Sequence, residues 1–342
     1  MARKATAQDV ADLAGVSRSA VSLVLNGRAA GNIGPEKQKA ILAAAEQLRY
    51  TPNAVALSLR SQRTRTIGVL TWPGRVGFAQ AMLHQALLKA GERSYLLLIM
   101  DTDDDREVER RQLETLRDRQ VDGFLVVAPE MQHYRPPEPL TVAPTVLLNC
   151  VDPDGVATSV APDEVGAGRR ATELLLEHGH RRIAVLTGEA ARLQTGLRVA
   201  GVEQALPQAG LPSPLPVAAG RDAGAGYRAA RALLLGPERP TALVCTHERL
   251  AVGAVLAAAE LGLPVPDALS VVSLEDGEHL TSSLVPALTT AHRPDRAMAE
   301  QAVLLLMEQL AGRGADEPRR LLFSCPLRTR SSVRRPAASA AL

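Results

Sequence analysis

The first residues whose types and spacing suggest chemistry lie close to the N-terminus. Arg18, Ser19, Ala20, Ser22 and Leu23 begin a short helical pattern, on the side that its apolar residues leave open. An arginine can donate two parallel hydrogen bonds to a base edge, serine bonds to bases or phosphates, and small apolar groups fit against a thymine methyl. The set predicts a surface that reads DNA.

Two short helices joined by a tight turn would position that surface. Thr6 can cap the first helix with Asp9 as its partner, Gly15 suits a turn with positive φ, and Ser17 can cap the second helix, which Asn26 and Gly27 end. The inner faces are apolar: Val10, Ala11, Ala14, Val21 and Val24. This pattern predicts a helix-turn-helix, whose second helix enters the major groove. The alternative is a plain helical hairpin in an alanine-rich chain.

The charge distribution favours the DNA-binding interpretation. Residues 1–66 hold ten Lys and Arg against four Asp and Glu, whereas the rest of the chain holds 29 basic and 33 acidic residues. A basic module on an otherwise acidic chain is expected when only that module meets phosphate. We therefore expect double-stranded DNA as a partner.

Length and composition exclude several other classes. A chain of 342 residues is too long for one core and suits a small module followed by a two-lobed domain. It has no apolar run of 18 residues and no signal-peptide pattern at its N-terminus, so we expect a cytoplasmic protein without a membrane span. The three cysteines are far apart and predict neither a metal site nor a disulfide framework.

Residues 34–66 extend the module. Gly34-Pro35-Glu36 starts a third helix that reaches about Arg49. After a break at Tyr50-Thr51-Pro52, Asn53 can cap a short fourth helix, AVALSLR, before the polar run SQRTRT. That helix is too short to be stable alone in water, so we expect it to need a partner to fold.

These segments resemble the LacI/GalR (lactose/galactose repressor) family of bacterial transcription regulators. The resemblance rests on DVADLAGVSRSAVSLVLNG, ILAAAEQLRYTPNAVALSLRSQRTRTIGVL, DTDDDREVERRQLETLRDRQVDGFLVV, DEVGAGRRATELLLEHGHRRIAVLTG and LPVPDALSVVSLEDGEHLTSSLVPALTTAHRP, and spans about residues 6–330. It implies a homodimer on a palindromic operator, and a hinge helix whose leucine, Leu59, enters the minor groove beside Arg60. The expected DNA-binding residues are Thr6, Ser17, Arg18, Ser19, Ala20, Ser22, Leu23, Asn26, Asn53, Leu59 and Arg60.

From residue 66 onward, short apolar runs alternate with helical stretches. The expected strands are TIGVLT, YLLLIM, GFLVVA, TVLLN, RIAVLT, TALVCT and LSVVSL, and the expected helices span about 77–92, 106–120, 163–178, 196–209, 224–235, 248–261 and 294–311. This alternation predicts an α/β domain with two Rossmann-like lobes of parallel sheet. The resemblance likewise implies a periplasmic-binding-protein-like effector domain. The expected domains are 1–52 (helix-turn-helix), 53–66 (hinge helix and linker), 67–330 (effector binding and dimerisation) and 331–342 (disordered tail).

The resemblance also implies an effector site between the lobes, at Phe78, Asn149, Arg198, Arg221, Glu248 and Asp276. Arginine and carboxylate side chains suit hydroxyl-rich ligands because they form charge-assisted hydrogen bonds. The alternative for Arg198 and Glu248 is an ordinary solvated charge on a helix.

Some positions depart from the family pattern and leave the effector class open. His247-Glu248 stands where most members have Asn-Asp, and arginines occupy positions 221 and 293. Aromatic residues form only 2% of the chain, so Trp72 and Phe78 are the main stacking candidates for a sugar. A sugar and an acidic or phosphorylated sugar derivative both remain open.

Other motifs carry no catalytic signature. GAGRRA and GAGYRA match a dinucleotide pattern but do not follow convincing strands, and the acidic run at residues 103–105 fits a helix cap. The rival classes are a solute-binding protein, which would need a secretory signal, and an enzyme, which would need a nucleophile, metal or phosphate motif. We expect a ligand-controlled transcription regulator, a repressor, with no cofactor and no enzymatic activity.

Overall fold

The computed structural model describes residues 5–25, 29–50, 63–72, 79–214, 216–315 and 317–336. The chain separates into two compact units, Met1–Thr66 and Ile67–Leu342. Among the described residues, no helix is both long and apolar enough to cross a lipid bilayer.

The first unit contains the predicted helix-turn-helix. Helix α1 spans Ala7–Ala14, α2 spans Arg18–Leu25 and α3 spans Pro35–Gln47. Thr6 and Asp9 form the expected capping box, and Gly15 ends α1 with φ of 65°. The three helices enclose a small core around Val10, Val21 and Ile41, each fully buried.

One lobe of the second unit is built on a six-stranded sheet with strand order β11-β5-β4-β3-β1-β2. Its strands are β1 (Thr66–Thr71), β2 (Leu96–Asp101), β3 (Gly123–His133), β4 (Thr145–Val151), β5 (Thr158–Pro162) and β11 (Arg320–Phe323). Helices α4 (Gln80–Glu92), α5 (Arg106–Asp118), α6 (Glu138–Val142) and α12 (Asp295–Leu310) belong to it. Apolar side chains fill both faces of the sheet, as parallel packing between helices requires.

The other lobe has the sheet order β12-β10-β9-β8-β6-β7. Its strands are β6 (Ile183–Thr187), β7 (Val217–Ala218), β8 (Ala242–Cys245), β9 (Ser270–Ser273), β10 (Thr289–Ala291) and β12 (Leu327–Arg328). Its helices are α7 (Glu164–Glu177), α8 (Leu193–Gln208), α9 (Ala223–Leu235), α10 (Glu248–Glu260) and α11 (Glu278–Thr281). The α/β fold with two parallel sheets was therefore predicted correctly.

Three short segments carry the chain from one lobe to the other. They lie between β5 and α7, between β10 and α12, and between β11 and β12. All three segments lie at the edge of the sheets where the parallel strands have their carboxyl ends. Ligands bind at this edge in parallel sheets. The crossings bring residues far apart in sequence to the same place.

The glycine motifs that match a dinucleotide pattern serve helix packing instead. A Cβ atom added at Gly168 of α7 would lie 2.1 Å from the carbonyl oxygen of Arg198, and one at Gly201 of α8 would lie 2.0 Å from that of Val165. Gly226 and Gly253 have the same role between α9 and α10. The absence of a side chain lets these helix pairs approach closely.

The sequence-based boundaries need three corrections. Five short strands, β5, β7, β10, β11 and β12, were missed because runs of two to five residues carry little periodicity. Helix α8 begins at Leu193, three residues earlier than predicted. The tail predicted to be disordered over 331–342 is ordered as far as Pro336, and residues 337–342 lie outside the described part.

The ordered part of the tail is held by hydrogen bonds to strand β9. Ser332 is fully buried: its hydroxyl donates to the Val271 carbonyl (2.6 Å), and its own carbonyl accepts from the Val271 amide (2.9 Å). The Arg334 carbonyl lies 2.8 Å from Nε2 of buried His180. These bonds satisfy backbone groups of β9 and of the tail, which composition alone could not reveal.

Candidate effector cleft and DNA-reading helix

Helix α2 exposes the polar residues predicted to contact DNA at its N-terminus. Ser17, Arg18 and Ser19 are exposed, and Ser22 and Leu23 are half-buried on the following turn. The Ser17 hydroxyl accepts a hydrogen bond from the Ala20 amide (3.2 Å), as a capping residue does. No acidic residue occupies the first turn of α2, so its positive dipole end is not neutralised there.

Two of the predicted DNA contacts have other roles. Ala20 is only 8% exposed and packs into the core beside Val21, so its inclusion in the contact surface was wrong. Thr6 is exposed, but its hydroxyl and amide both bond to the Asp9 carboxylate within the capping box. Asn26, Asn53, Leu59 and Arg60 lie outside the described residues.

The predicted aromatic platform is absent from the described part of the cleft. Trp72 is 7% exposed and stacks on Tyr134, with ring centroids 5.7 Å apart, inside the core beneath α5 and α6. The stacking role proposed for Trp72 was therefore wrong, because the side chain of this residue points to the core face of β1. Phe78 lies outside the described residues.

Arg198 lies at the centre of a buried polar cluster where the chain crosses between lobes. Its Nε and Nη2 donate to the Glu164 carboxylate at 2.7 and 3.2 Å, and its Nη1 donates to the Thr246 carbonyl. Gln194 donates to the same carboxylate at 2.6 Å. Arg198 and Glu164 come from α8 and from the start of α7, and their side chains are 3% and 2% exposed. Burial opposes the charge of Arg198, but the carboxylates of Glu164 and Glu275 outweigh it and raise the pKa.

A second arginine, Arg293, is half-buried on the next crossing segment. It pairs with Asp295, the first residue of α12. Burial again opposes its charge, while the Asp295, Glu164 and Glu275 carboxylates raise its pKa. The guanidinium groups of Arg198 and Arg293 are thus each held by a carboxylate of the chain itself.

Glu248 borders this cluster at the N-terminus of α10. It is 8% exposed and accepts a hydrogen bond from the Gly277 amide at 2.6 Å. Burial, together with the nearby Glu275 carboxylate, raises its pKa. The solvated-charge alternative is therefore wrong for both Arg198 and Glu248.

Asp276 was predicted to face the effector, but the structure uses its carboxylate inside one lobe. The side chain is fully buried and accepts hydrogen bonds from Arg328 (2.9 Å), Arg330 (3.1 Å) and Thr281 (2.6 Å). Burial would raise its pKa, but hydrogen bonds with His292 and Thr281 and the charge of Arg330 hold the pKa well below the usual range. We therefore correct its role: it anchors strand β12 and the segment after it.

Asn149 lies towards the carboxyl end of strand β4 with φ of 60° and is fully buried. Its Nδ2 donates to the Ala128 carbonyl at 2.8 Å, whereas its Oδ1 accepts no hydrogen bond. A buried carbonyl oxygen without a donor is uncommon, because leaving it unpaired costs free energy. Asn149 therefore has a free acceptor atom near the carboxyl end of its strand.

Arg221 reaches from one lobe to the other. Its guanidinium binds both oxygens of Glu130, a residue of β3, and Arg192 binds the same carboxylate at 3.2 Å. Beneath these groups, Met131, Val151 and Ala161 of one lobe pack against Leu193 and Leu197 of the other. Residues of both lobes, 130–133 and 190–197, line a cavity of about 490 Å³.

Sequence reasoning missed Glu130, Glu164, Gln194 and Glu275. The one available signal was position, since Glu164 and Glu275 each follow a strand closely. The described residues contain no group of three or more His, Cys, Asp or Glu arranged to hold a metal ion. The cluster can donate and accept many directed hydrogen bonds, which suits a polyhydroxylated ligand.

Comparisons with known proteins agree with this architecture. Residues 6–53 match the bacterial regulatory proteins of the lacI family, and residues 172–333 match a periplasmic binding protein-like domain. The ribose operon repressor of Escherichia coli K12 is 33% identical over 317 residues, or 90% of this chain and 93% of that protein. PurR of Aliivibrio fischeri (strain ATCC 700601 / ES114) is 34% identical over 337 residues, or 96% and 98%. The chain belongs to the LacI family.

A solved structure shows the same relationship. The complex of the transcriptional regulator CelR with cellobiose superposes with a TM-score of 0.67 at 26% identity, covering 96% of this chain and 99% of that one. Membership in the LacI family confirms the predicted combination of a helix-turn-helix DNA-binding domain with an effector-binding domain. The two sequence relatives are transcriptional repressors, not enzymes.

Proposed function

We propose that this chain represses transcription from a palindromic operator as a homodimer in the cytoplasm, and that a neutral sugar-like effector controls its affinity for DNA. The observation that carries the effector class is the pairing of its arginines. Arg198 is held by Glu164 and Arg293 by Asp295. Neither guanidinium therefore requires an anionic ligand to balance its charge.

The balance of charge disfavours an acidic or phosphorylated effector. Four carboxylates, Glu164, Glu248, Glu275 and Asp295, surround two guanidinium groups in the described cluster. An anion placed there would meet like charges in a poorly solvated setting, where repulsion is stronger than in water. Hydroxyl groups can instead donate to the carboxylates and accept from Asn149, Gln194 or the arginines. The names of the ribose repressor and of the CelR–cellobiose complex support this class.

The DNA-binding function rests on the exposed start of α2. Arg18 and Ser19 are solvent-exposed on the first turn, while the core behind them is fully buried. A rigid helix with an exposed arginine at its N-terminus suits direct contact with base edges in the major groove.

An apolar face on one lobe supports the homodimer. Strand β2 lies at the edge of its sheet, where Leu96 is 61% and Ile99 43% exposed. Leu87 and Leu88 of the neighbouring helix α4 are 43% and 52% exposed. Exposed apolar side chains on and beside an edge strand favour burial against a second subunit.

A thermal-shift panel tests the effector class. The full-length protein is heated with ribose, cellobiose, ribose 5-phosphate and gluconate, each at several concentrations. Binding to the folded state at one hundred times the Kd adds about 2.7 kcal/mol of stability. We expect a neutral sugar to raise the Tm, and the shift to disappear in Arg198→Met. Stabilisation by the anionic compounds alone would refute a neutral effector while leaving the cleft as the site.

A further inference from the structure

The contact between Glu130 and Arg221 joins the two lobes across the mouth of the cleft. Glu130 lies towards the carboxyl end of β3 on one lobe, while Arg221 and Arg192 belong to the other. Arg221 donates through Nη1 to Oε2 at 2.9 Å and through Nη2 to Oε1, and Arg192 Nη1 lies 3.2 Å from Oε2. Paired, two-point contacts of this kind have a defined geometry and are stronger than single hydrogen bonds.

The surroundings of the Glu130–Arg221 pair strengthen the attraction that must be broken when the lobes open. The side chains of Glu130 and Arg221 are only 11% and 16% exposed. A Cβ atom added at Gly188 would lie 3.6 Å from Cγ of Arg221 and 2.8 Å from Cε1 of His247, so the stem of Arg221 lies against the backbone beside the polar cluster. Because water is largely excluded, the attraction is screened less than at an open surface.

The connections between lobes allow such a contact to act as a switch. Three short crossing segments link the lobes, and the apolar contact of Met131, Val151 and Ala161 with Leu193 and Leu197 lies next to the ion pair. Small apolar contacts of this size separate readily, whereas a two-point ion pair must break both of its bonds.

We propose that Glu130, with Arg221 and Arg192, forms an inter-lobe latch that holds the cleft closed. Opening of the cleft requires the carboxylate to leave both guanidinium groups. Glu130 therefore sets the balance between open and closed lobes, and with it the access of any effector to the buried cluster. The latch goes beyond the proposed function and is tested without an effector or DNA.

Single-molecule fluorescence transfer between the lobes tests the latch. Dyes are attached to Asp104→Cys, in the loop after β2, and Arg249→Cys, at the start of α10, both exposed positions. The three natural cysteines are buried and do not compete for the dyes. Labelled chains are mixed with excess unlabelled chains, so that each dimer carries one labelled protomer.

The decisive variants are Glu130→Gln and the milder Arg221→Lys, which keeps the charge but loses the two-point contact. We expect Glu130→Gln to raise the open population about tenfold, because charge-assisted bonds are lost and the partly buried guanidinium of Arg221 loses its carboxylate partner. Arg221→Lys should have a smaller effect in the same direction. Combining Glu130→Gln with Arg221→Gln should open the cleft no further than Glu130→Gln alone, since Glu130→Gln already removes the charge-assisted contact with Arg221.

The matched control is Asp154→Asn. Asp154 pairs with Arg135 at 2.9 Å on the same lobe as Glu130, but this pair bridges no lobes and both side chains are more than half exposed. The distribution of distances between the two dyes in Asp154→Asn should match that of the parent protein. A Glu130→Gln protein that melts cooperatively and shows the same distribution as Asp154→Asn would overturn the latch. Additive opening by Glu130→Gln and Arg221→Gln would also overturn it.

Discussion

Replacing Arg198 by methionine should destabilise the effector domain strongly. Methionine fills a similar volume but removes the guanidinium that donates to Glu164 at 2.7 and 3.2 Å. The Glu164 carboxylate would remain 2% exposed with Gln194 as a donor but no arginine. Removing one partner of a buried ion pair costs about 3–5 kcal/mol, because the other charge stays desolvated.

Thermal unfolding followed by circular dichroism measures this cost. For a domain of this size, 1 kcal/mol corresponds to about 2–4 °C, so we expect the Tm to fall by roughly 6–20 °C. The matched control is Arg169→Met on α7, whose pair with Glu173 has a similar length of 3.2 Å but side chains 42% and 38% exposed. An exposed pair is worth at most about 1 kcal/mol.

A double variant sharpens the test. Arg198→Met combined with Glu164→Gln removes both charges and should recover part of the lost stability, because no uncompensated charge stays buried. If the Tm of Arg198→Met lies within a degree or two of that of Arg169→Met, the Arg198–Glu164 pair is effectively solvated. That result would refute the buried charge balance from which the neutral effector was inferred.

The remaining predictions concern DNA and pH. Arg18→Ala should lower the ratio of operator to random-DNA affinity by about 1–3 kcal/mol, whereas Lys39→Ala, 78% exposed on α3, should leave that ratio unchanged in competition binding assays. Leu59→Ala should keep weak, salt-sensitive DNA binding but lose most of the operator bend seen by end-to-end fluorescence transfer; an unchanged bend would contradict a minor-groove wedge. Burial lowers the pKa of His180 in the folded protein. As the pH falls, the imidazole is therefore protonated more readily in the unfolded chain, and the free energy of unfolding should decrease below about pH 6.5. His180→Gln should weaken that slope in urea unfolding at pH 5 to 7, and an identical slope would show that another group causes it.

Features set by neighbours in sequence were predictable from the sequence. The capping box of Thr6 and Asp9, the positive φ of Gly15 and the alternation of apolar strands with helices all depend on residues two to four positions apart or on one repeating pattern. The charge excess of the first 66 residues also needs no fold to be recognised. These signals determined the helix-turn-helix and the two-lobed α/β domain.

Tertiary structure alone decided which of the charged residues are partners. Glu164 and Arg198 are 34 positions apart on two helices of one lobe, and Glu130 and Arg221 are 91 positions apart on different lobes. Neither contact exists until these separate elements pack together. Burial was equally hidden for Trp72, since a residue at a strand end can face the core or the cleft and the sequence does not say which. Periodicity shows which residues repeat along one element, whereas the partner of a buried charge depends on how separate elements pack against each other.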